Sequence, residues 1–318
     1  LISHHFGHNL SMSVNLKDVH TIITKFQGEY SRAHFNLISD YLFDGRNSTI
    51  KDLDCNLIFL YLILRSLKSL REKNHQYNYD ELYKNKFDPI IIKKSEIAAE
   101  LNYPRETVRR KINNLIKHDY IKMNNNEIII NTHNYLESIN IKRYEERINK
   151  CLDIVIRNIN NKNINNISIS LKKNFSFIWY NYLQLSIFIS KIWKEYHSSM
   201  ECWYVYGMCS WNQMTNSKDS NYKLVEKNNT SNFYLNLTTK KNSRGLNPTT
   251  LSELTGIPRQ TVMRNLQILI KNKTIKKNKD NLYFLDRNTS QKKNIIKNLE
   301  LIHKQASCFC FELIKASK

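Results

Sequence analysis

The side chains with chemistry to offer in this chain are Arg105, Glu106, Arg109 and Arg110 and, about half the chain later, Arg259, Gln260 and Arg264. On a helix, positions i, i+1, i+4 and i+5 share one face. The arginine fork pairs with O6 and N7 of guanine, glutamine pairs with adenine, and glutamate accepts from cytosine N4. Each well-made pair discriminates between bases by about 1–3 kcal/mol. Thr107 and Thr261 fall at the start of the same stretches, where hydroxyls and free N–H groups suit a phosphate. Lys117 and Lys122 follow in the first stretch, and Lys271, Lys276, Lys277 and Lys279 in the second. They supply the positive charge that a phosphate backbone attracts.

One local pattern, occurring twice, carries all these residues. A fixed offset of 154 residues aligns Ser95–Asn131 with the second copy without a gap, and 11 of the 37 positions are identical. Each copy reads as helix, tight turn, helix and basic hairpin. In the first, Lys94 to Leu101 is the leading helix, with Ile97, Ala98 and Leu101 inward. Asn102 and Gly256 sit at the turn, where a positive φ is usual and both residue types tolerate it. Tyr103 and Ile257 plug the core after the turn, and Pro104 and Pro258 suit the first residues of the next helix. That helix holds to the core by Val108, Ile112, Leu115 and Ile116, and by Val262, Leu266, Leu269 and Ile270 in the second copy. Two-stranded wings follow, around Asn124–Asn126 and Asn278–Asn281.

The run Asn102-Tyr103-Pro104-Arg105-Glu106-Thr107-Val108-Arg109-Arg110 resembles the DNA-binding motif of the cyclic-AMP receptor/fumarate-nitrate regulator family, and the winged helices of MarR-like and IclR-like regulators. The resemblance covers some forty residues per copy. It implies a winged helix-turn-helix in which Arg105, Glu106 and Arg110 contact bases, with Arg259, Gln260 and Arg264 matching them. Gln260 departs from the family's glutamate. No strand-rich, glycine-punctuated domain precedes either motif, so the family's cyclic-nucleotide barrel has no counterpart and no cofactor is expected.

The 318 residues are enough for two or three domains, and a hydrophobic fraction of 41% supports a real core. The net charge of +21 favours a polyanionic partner. AT-rich coding also inflates Lys, Asn and Ile, so the charge gains meaning from falling on the repeated element. The expected fold is mainly α, an internal duplication in which apolar helices precede each winged unit. The expected divisions are an N-terminal segment 1–29, a first unit 30–133, a connecting helix and Asn-rich linker 134–174, a second unit 175–286 and a C-terminal helix 287–318. Within them, Tyr30 to Phe43 reads as a short helix before a turn at Asp44–Ser48, and Asn74 to Asp88 as a loop. Asn134 to Ile156 reads as one helix, and 215–246 as a polar insertion.

Six scattered cysteines without a C-x-x-C pair read as reduced, buried thiols. No secretory leader is visible from Leu1. The longest uncharged run, Asn174–Ser190, is short for a membrane span and holds Asn181, Gln184, Ser186 and Ser190. The expected location is cytoplasmic, with the nucleoid. His4, His5 and His8 read as a solvated terminus, Cys308 and Cys310 as packing, and the four tryptophans as core in preference to a ligand pocket or a base-stacking surface. No phosphate-cradling glycine loop or Ser/His/Asp set appears, and an enzyme is not expected. The sequence thus points to a regulator of transcription that binds double-stranded DNA as a monomeric pseudo-dimer, with RNA polymerase as a further partner. A replication initiator of plasmid or phage type and a protein-interaction scaffold are the alternatives.

Overall fold

Asparagine and aspartate caps punctuate this Asn-rich chain. Asn15 starts α1 (Leu16–Lys25), Asp52 starts α3 (Leu53–Glu72), and Asn78 starts α4 (Tyr79–Asn85) with a full capping box to Glu81. Between α1 and α3, α2 (Gln27–Asn47) follows α1 directly, with Phe26 between them. Asn131 and Asn140 likewise start α7 (Thr132–Glu137) and α8 (Ile141–Ile156), each accepting from a backbone N–H three residues on. Asn247 starts α11 (Pro248–Thr255), with Pro248 in the first turn, where its missing N–H costs nothing. The remaining elements are β1 (Ile90–Ile91), α5 (Lys94–Leu101), α6 (Arg105–Lys117), β2 (Ile121–Asn124) and β3 (Glu127–Ile130) in the first half. The second half holds α9 (Phe175–His197), α10 (Met200–Thr215), α12 (Arg259–Lys271), β4 (Ile275–Lys277), β5 (Tyr283–Leu285) and α13 (Lys292–Ala316). The computed structural model describes residues 14–48, 50–125, 127–159, 167–215, 230–231, 245–286 and 289–317.

Over the described residues the molecule is mainly α-helical with two small antiparallel sheets. Its centre is an exchange between the halves: α3 packs on α9, and α10 packs on α2. Of these helices, α3, α9 and α10 are apolar around most of their circumference, as a helix covered on several sides must be. On the outside, α8 flanks α2 and α13 flanks α9, while α1 packs on α13. Arg147 pairs with Asp40 at 3.0 Å and Arg143 pairs with Asp44, tying α8 to α2.

Two cysteines mark how closely the halves correspond. The Cys55 thiol faces the Lys111 carbonyl at 3.4 Å, joining α3 to α6. The Cys202 thiol faces the Asn265 carbonyl at 3.9 Å, joining α10 to α12. Lys111 and Asn265 are partners in the 154-residue alignment.

Several elements differ from the sequence reading. The helix expected over Tyr30–Phe43 is α2, which runs on through the expected turn to Asn47. Gly45 is helical, and a Cβ there would come within 2.1 Å of the Asn56 carboxamide, so the glycine serves a close helix approach, not a turn. The polar segment after α3 contains α4, started by its capping box. The single helix expected over 134–156 is two, because Asn140 caps a new start. The first ribbon gains a third strand, giving the order β1-β3-β2, while in the second a single bridge, Leu246 to Tyr283, stands beside β4-β5. The expected histidine cluster at the N-terminus and most of the 215–246 insertion lie outside the described residues.

Candidate nucleic-acid interface

In the first unit α5 ends at Asn102, which takes φ 51° and ψ 56°, and in the second α11 ends at Gly256 with φ 65°. These left-handed residues turn the chain sharply into the next helix. Pro104 and Pro258 stand just before α6 and α12, at φ −58° and −54°, one position earlier than a first-turn proline. Neither helix has a side-chain cap, so the first N–H groups of both remain open to an external acceptor. Val108, Ile112 and Leu115 are buried in α6, and Val262, Leu266 and Leu269 in α12.

Ile116 and Ile270, expected in that stripe, are 38% exposed. They stand eight residues beyond Val108 and Val262, which carries them about 80° round the helix and out of the seam. Asn265 takes a buried place instead, as Lys111 nearly does in α6, where its ammonium pairs with Asp52 at the start of α3.

The polar faces are solvent-facing in both units. Arg105, Glu106, Arg109 and Arg110 are exposed on α6, and Arg259, Gln260 and Arg264 on α12. Thr107 and Thr261 are half-buried at the helix starts. Lys117 and Lys271 are exposed in the last turns, where they also face the helix dipole favourably. On the ribbons Lys122, Lys276, Lys277 and Lys279 are exposed, with Lys122 lying 3.7 Å from Asp119 and Lys277 5.9 Å from the centre of the Tyr283 ring.

The two faces differ in one respect that sequence spacing does not reveal. Arg109 grips Glu106 with both arms, Nε to Oε2 at 2.8 Å and a terminal nitrogen to Oε1 at 2.6 Å. The hydrogen bond from Arg109 lowers the Glu106 carboxyl below its ordinary range. In α12 the matching residues are Gln260 and Met263, which cannot form such a pair.

Each unit is held from the other half, and this the sequence reading missed. Lys194 of α9 donates to the carbonyl oxygens of Leu101 and Asn102 at 2.6 and 2.8 Å, capping the C-terminal end of α5. Arg46 of α2 donates to the Gly256 carbonyl at 3.1 Å, at the C-terminal end of α11, and lies 3.5 Å from Glu201. The Lys194 ammonium also lies 3.4 Å from the centre of the Tyr103 ring, whose hydroxyl donates to Asp54 at 2.6 Å. Cations at these positions complete carbonyls that a helix end leaves open.

Family models, curated proteins and solved structures give no match to this chain. Among the described residues no cluster of His, Cys, Asp and Glu could hold a metal ion, and no helix is long and apolar enough to cross a membrane. All six cysteines are free, five of them buried. Trp179, Trp193 and Trp203 are buried, while Trp211 is half-buried and donates to Asn36 at 3.0 Å.

Proposed function

We propose that the chain is a sequence-specific regulator of transcription whose two units act as winged helix-turn-helix heads on double-stranded DNA. The observation that carries this reading is the recurrence of one exposed face. Arg105 and Arg110 on α6 have counterparts in Arg259 and Arg264 on α12, each beside an uncapped helix start and a lysine-bearing ribbon. Such a face matches the known arrangement in which the second helix lies in the major groove and flanking cations hold the phosphates.

The exchange of α3 and α10 between halves favours a single chain acting as its own dimer, since neither head is held by its own half alone. Glu106 and Gln260 then give the two heads different base preferences, and the operator is asymmetric. RNA polymerase is the further partner this reading implies, the nucleoid is the place of action, and no enzymatic step is assigned.

Selection of bound sequences from random duplex DNA at about physiological salt tests it. The expected result is one site with two unlike halves, separated by about one helical turn or a multiple of it. Binding without any recovered motif, lost on modest addition of salt, would reduce the interaction to charge attraction.

A further inference from the structure

Two half-open cavities lie at corresponding places in the two halves. The larger, about 370 Å³, is walled by α2, α3, α8 and α9. The smaller, about 110 Å³, is walled by α2, α9, α10 and α13. Asn56, Phe59 and Leu60 of α3 line the first, and Trp203, Tyr206 and Gly207 of α10 line the second at the same spacing, 147 residues on. Trp179, Tyr182 and Leu183 of α9 face the first cavity as Ser31, His34 and Phe35 of α2 face the second, 148 residues apart. Tyr41 and Gly45 are matched in the same way by Ile189 and Trp193.

The two cavities differ in where their rings stand. Trp193 and Trp203 stand in the smaller cavity where Gly45 and Asn56 stand in the larger. In turn, Trp179 and Tyr182 face the larger cavity where Ser31 and His34 face the smaller, so the rings stand on different walls in the two halves. At about 370 Å³ the larger one falls within the range of small-molecule sites. Seven of its sixteen lining residues are aromatic. Among its polar groups the Asn56 carboxamide is half-buried and makes no hydrogen bond among the described residues, while Trp179 Nε1 and Asp44 are already engaged, by Tyr135 at 2.6 Å and by Tyr144 at 2.9 Å.

We infer that the cavity between α2, α3 and α9 is a binding site for a small, neutral aromatic molecule of two or three rings, with a polar group that meets Asn56. The occupant packs against the rings of Phe59, Tyr144, Trp179 and Tyr182. The cavity wall includes Asp44, Gly45, Asn47 and Ser48, which flank Arg46, and Tyr120, which immediately precedes β2. The occupant therefore touches the segment that grips the second unit and the root of the first ribbon. Binding itself does not depend on the DNA reading, and its test uses no DNA.

The probe is the neutral dye N-phenyl-1-naphthylamine, whose emission rises on leaving water, titrated into the full chain and into two variants. Asn56→Trp installs the residue that the corresponding position, Trp203, carries, and Asn56→Ala leaves the cavity open. The expected result is saturable one-to-one binding by the native chain, at least tenfold weaker binding by Asn56→Trp with an unchanged helical spectrum, and binding by Asn56→Ala within about threefold to tenfold of native. If Asn56→Trp does not fold, photolabelling of the native chain with benzophenone, followed by peptide mapping, decides the location, with label expected within 41–60 and 179–183. Absence of saturable binding, undiminished binding by a folded Asn56→Trp, or label confined to other segments would overturn the site.

Discussion

Lys194, in the last turn of α9, donates to the carbonyl oxygen of Asn102 at the turn of the first unit, across 92 residues of sequence. It also donates to Leu101, and burial lowers its pKa below the ordinary lysine range, so the ammonium is held there by its carbonyl partners at a desolvation cost. Arg46 does the corresponding work at Gly256. The turn that sets the angle between α5 and α6 is thus fixed from the other half.

Lys194→Met keeps the length of the side chain and removes the donors. It leaves two carbonyls without this partner, and a charged hydrogen bond of this kind contributes about 1.5–3 kcal/mol. The variant is expected to unfold at lower urea concentration by about that amount, with an unchanged denaturant slope. Arg46→Met is expected to cost a similar amount, since it loses two carbonyl partners, Gly256 and Lys51, and a longer ion pair to Glu201. If Lys194→Met unfolds at the native midpoint, the cap does not hold the unit.

Buried histidines give the fold a pH dependence. His197 is 1% exposed, neither ring nitrogen has a hydrogen-bond partner, and desolvation lowers its pKa from 6.5 to about 3. Burial lowers His34 to about 3 and His303 to about 4 in the same way. Below pH 6.5 the unfolded chain takes up protons that the folded chain refuses. Stability is therefore fully present above about 6.5 and falls as the pH drops towards 4, by up to about 1.4 kcal/mol per pH unit for each histidine. His197→Phe keeps the ring among Trp193, Tyr196 and Tyr206 and removes the protonation. Its stability relative to native should rise between pH 7.5 and pH 5 in urea titrations. Parallel profiles for the two proteins would exclude His197 as a source of the dependence.

The thiols follow the same logic with a different probe. Burial pushes Cys55, Cys202, Cys209 and Cys310 up to about 12. Reaction needs the thiolate, so these four are unreactive while the chain is folded. Cys308 alone is half-buried. Iodoacetamide at pH 8 should add one adduct, at Cys308, long before any other. Equal labelling of Cys55 or Cys202 in the folded protein would mean that α3 or α10 opens readily from the helix it holds.

What the sequence made legible is what repeats at short range. The helix, turn, helix and ribbon follow from local signals: Asn102 and Gly256 tolerate a left-handed φ, and Val108, Ile112 and Leu115 recur with the helical period. The outward side chains follow from the same period. The error at Ile116 came from extending the stripe one step past the seam. The contacts of Lys194 and Arg46 were not legible, because they join residues 92 and 210 positions apart and no local pattern announces them. Gly45 misled for a related reason: a glycine in a turn-like run signals a turn unless another helix needs its missing Cβ, and Asn56 is that need. The tryptophans read as core, and three are buried, yet their rings also line the two cavities, which only the packing of both halves creates.

On the proposed DNA reading, readout and attraction separate. Arg105→Ala removes one fork from the exposed face of α6 and should cost about 1–3 kcal/mol at a single base pair of the selected site while leaving random DNA nearly unaffected. Lys276→Ala removes a ribbon charge and should weaken binding to every duplex, lowering the slope of log affinity against log salt by about 1. Competition titrations at several salt concentrations measure both. Equal losses on selected and random DNA for Arg105→Ala would remove it from base readout.

The pairing of Glu106 with Arg109 makes the heads unequal in a testable way. Within the pair, the glutamate turns the arginine fork back along α6 and cancels its charge. Glu106→Gln copies the residue that α12 carries, frees Arg109 and adds a net positive charge to an exposed face. Affinity for random duplex DNA should rise and its salt slope should steepen by about 1, because a further phosphate contact becomes available. The base preference of the first half-site should meanwhile move from that of a glutamate, which accepts from cytosine, towards that of a glutamine, which pairs with adenine. Gln260→Glu is the reciprocal change, but Met263 offers no arginine to hold the new carboxylate. It should lower affinity for all DNA without copying the preference of the first head. If instead Glu106→Gln leaves both the salt slope and the selected half-site as they were, the face of α6 does not meet the DNA.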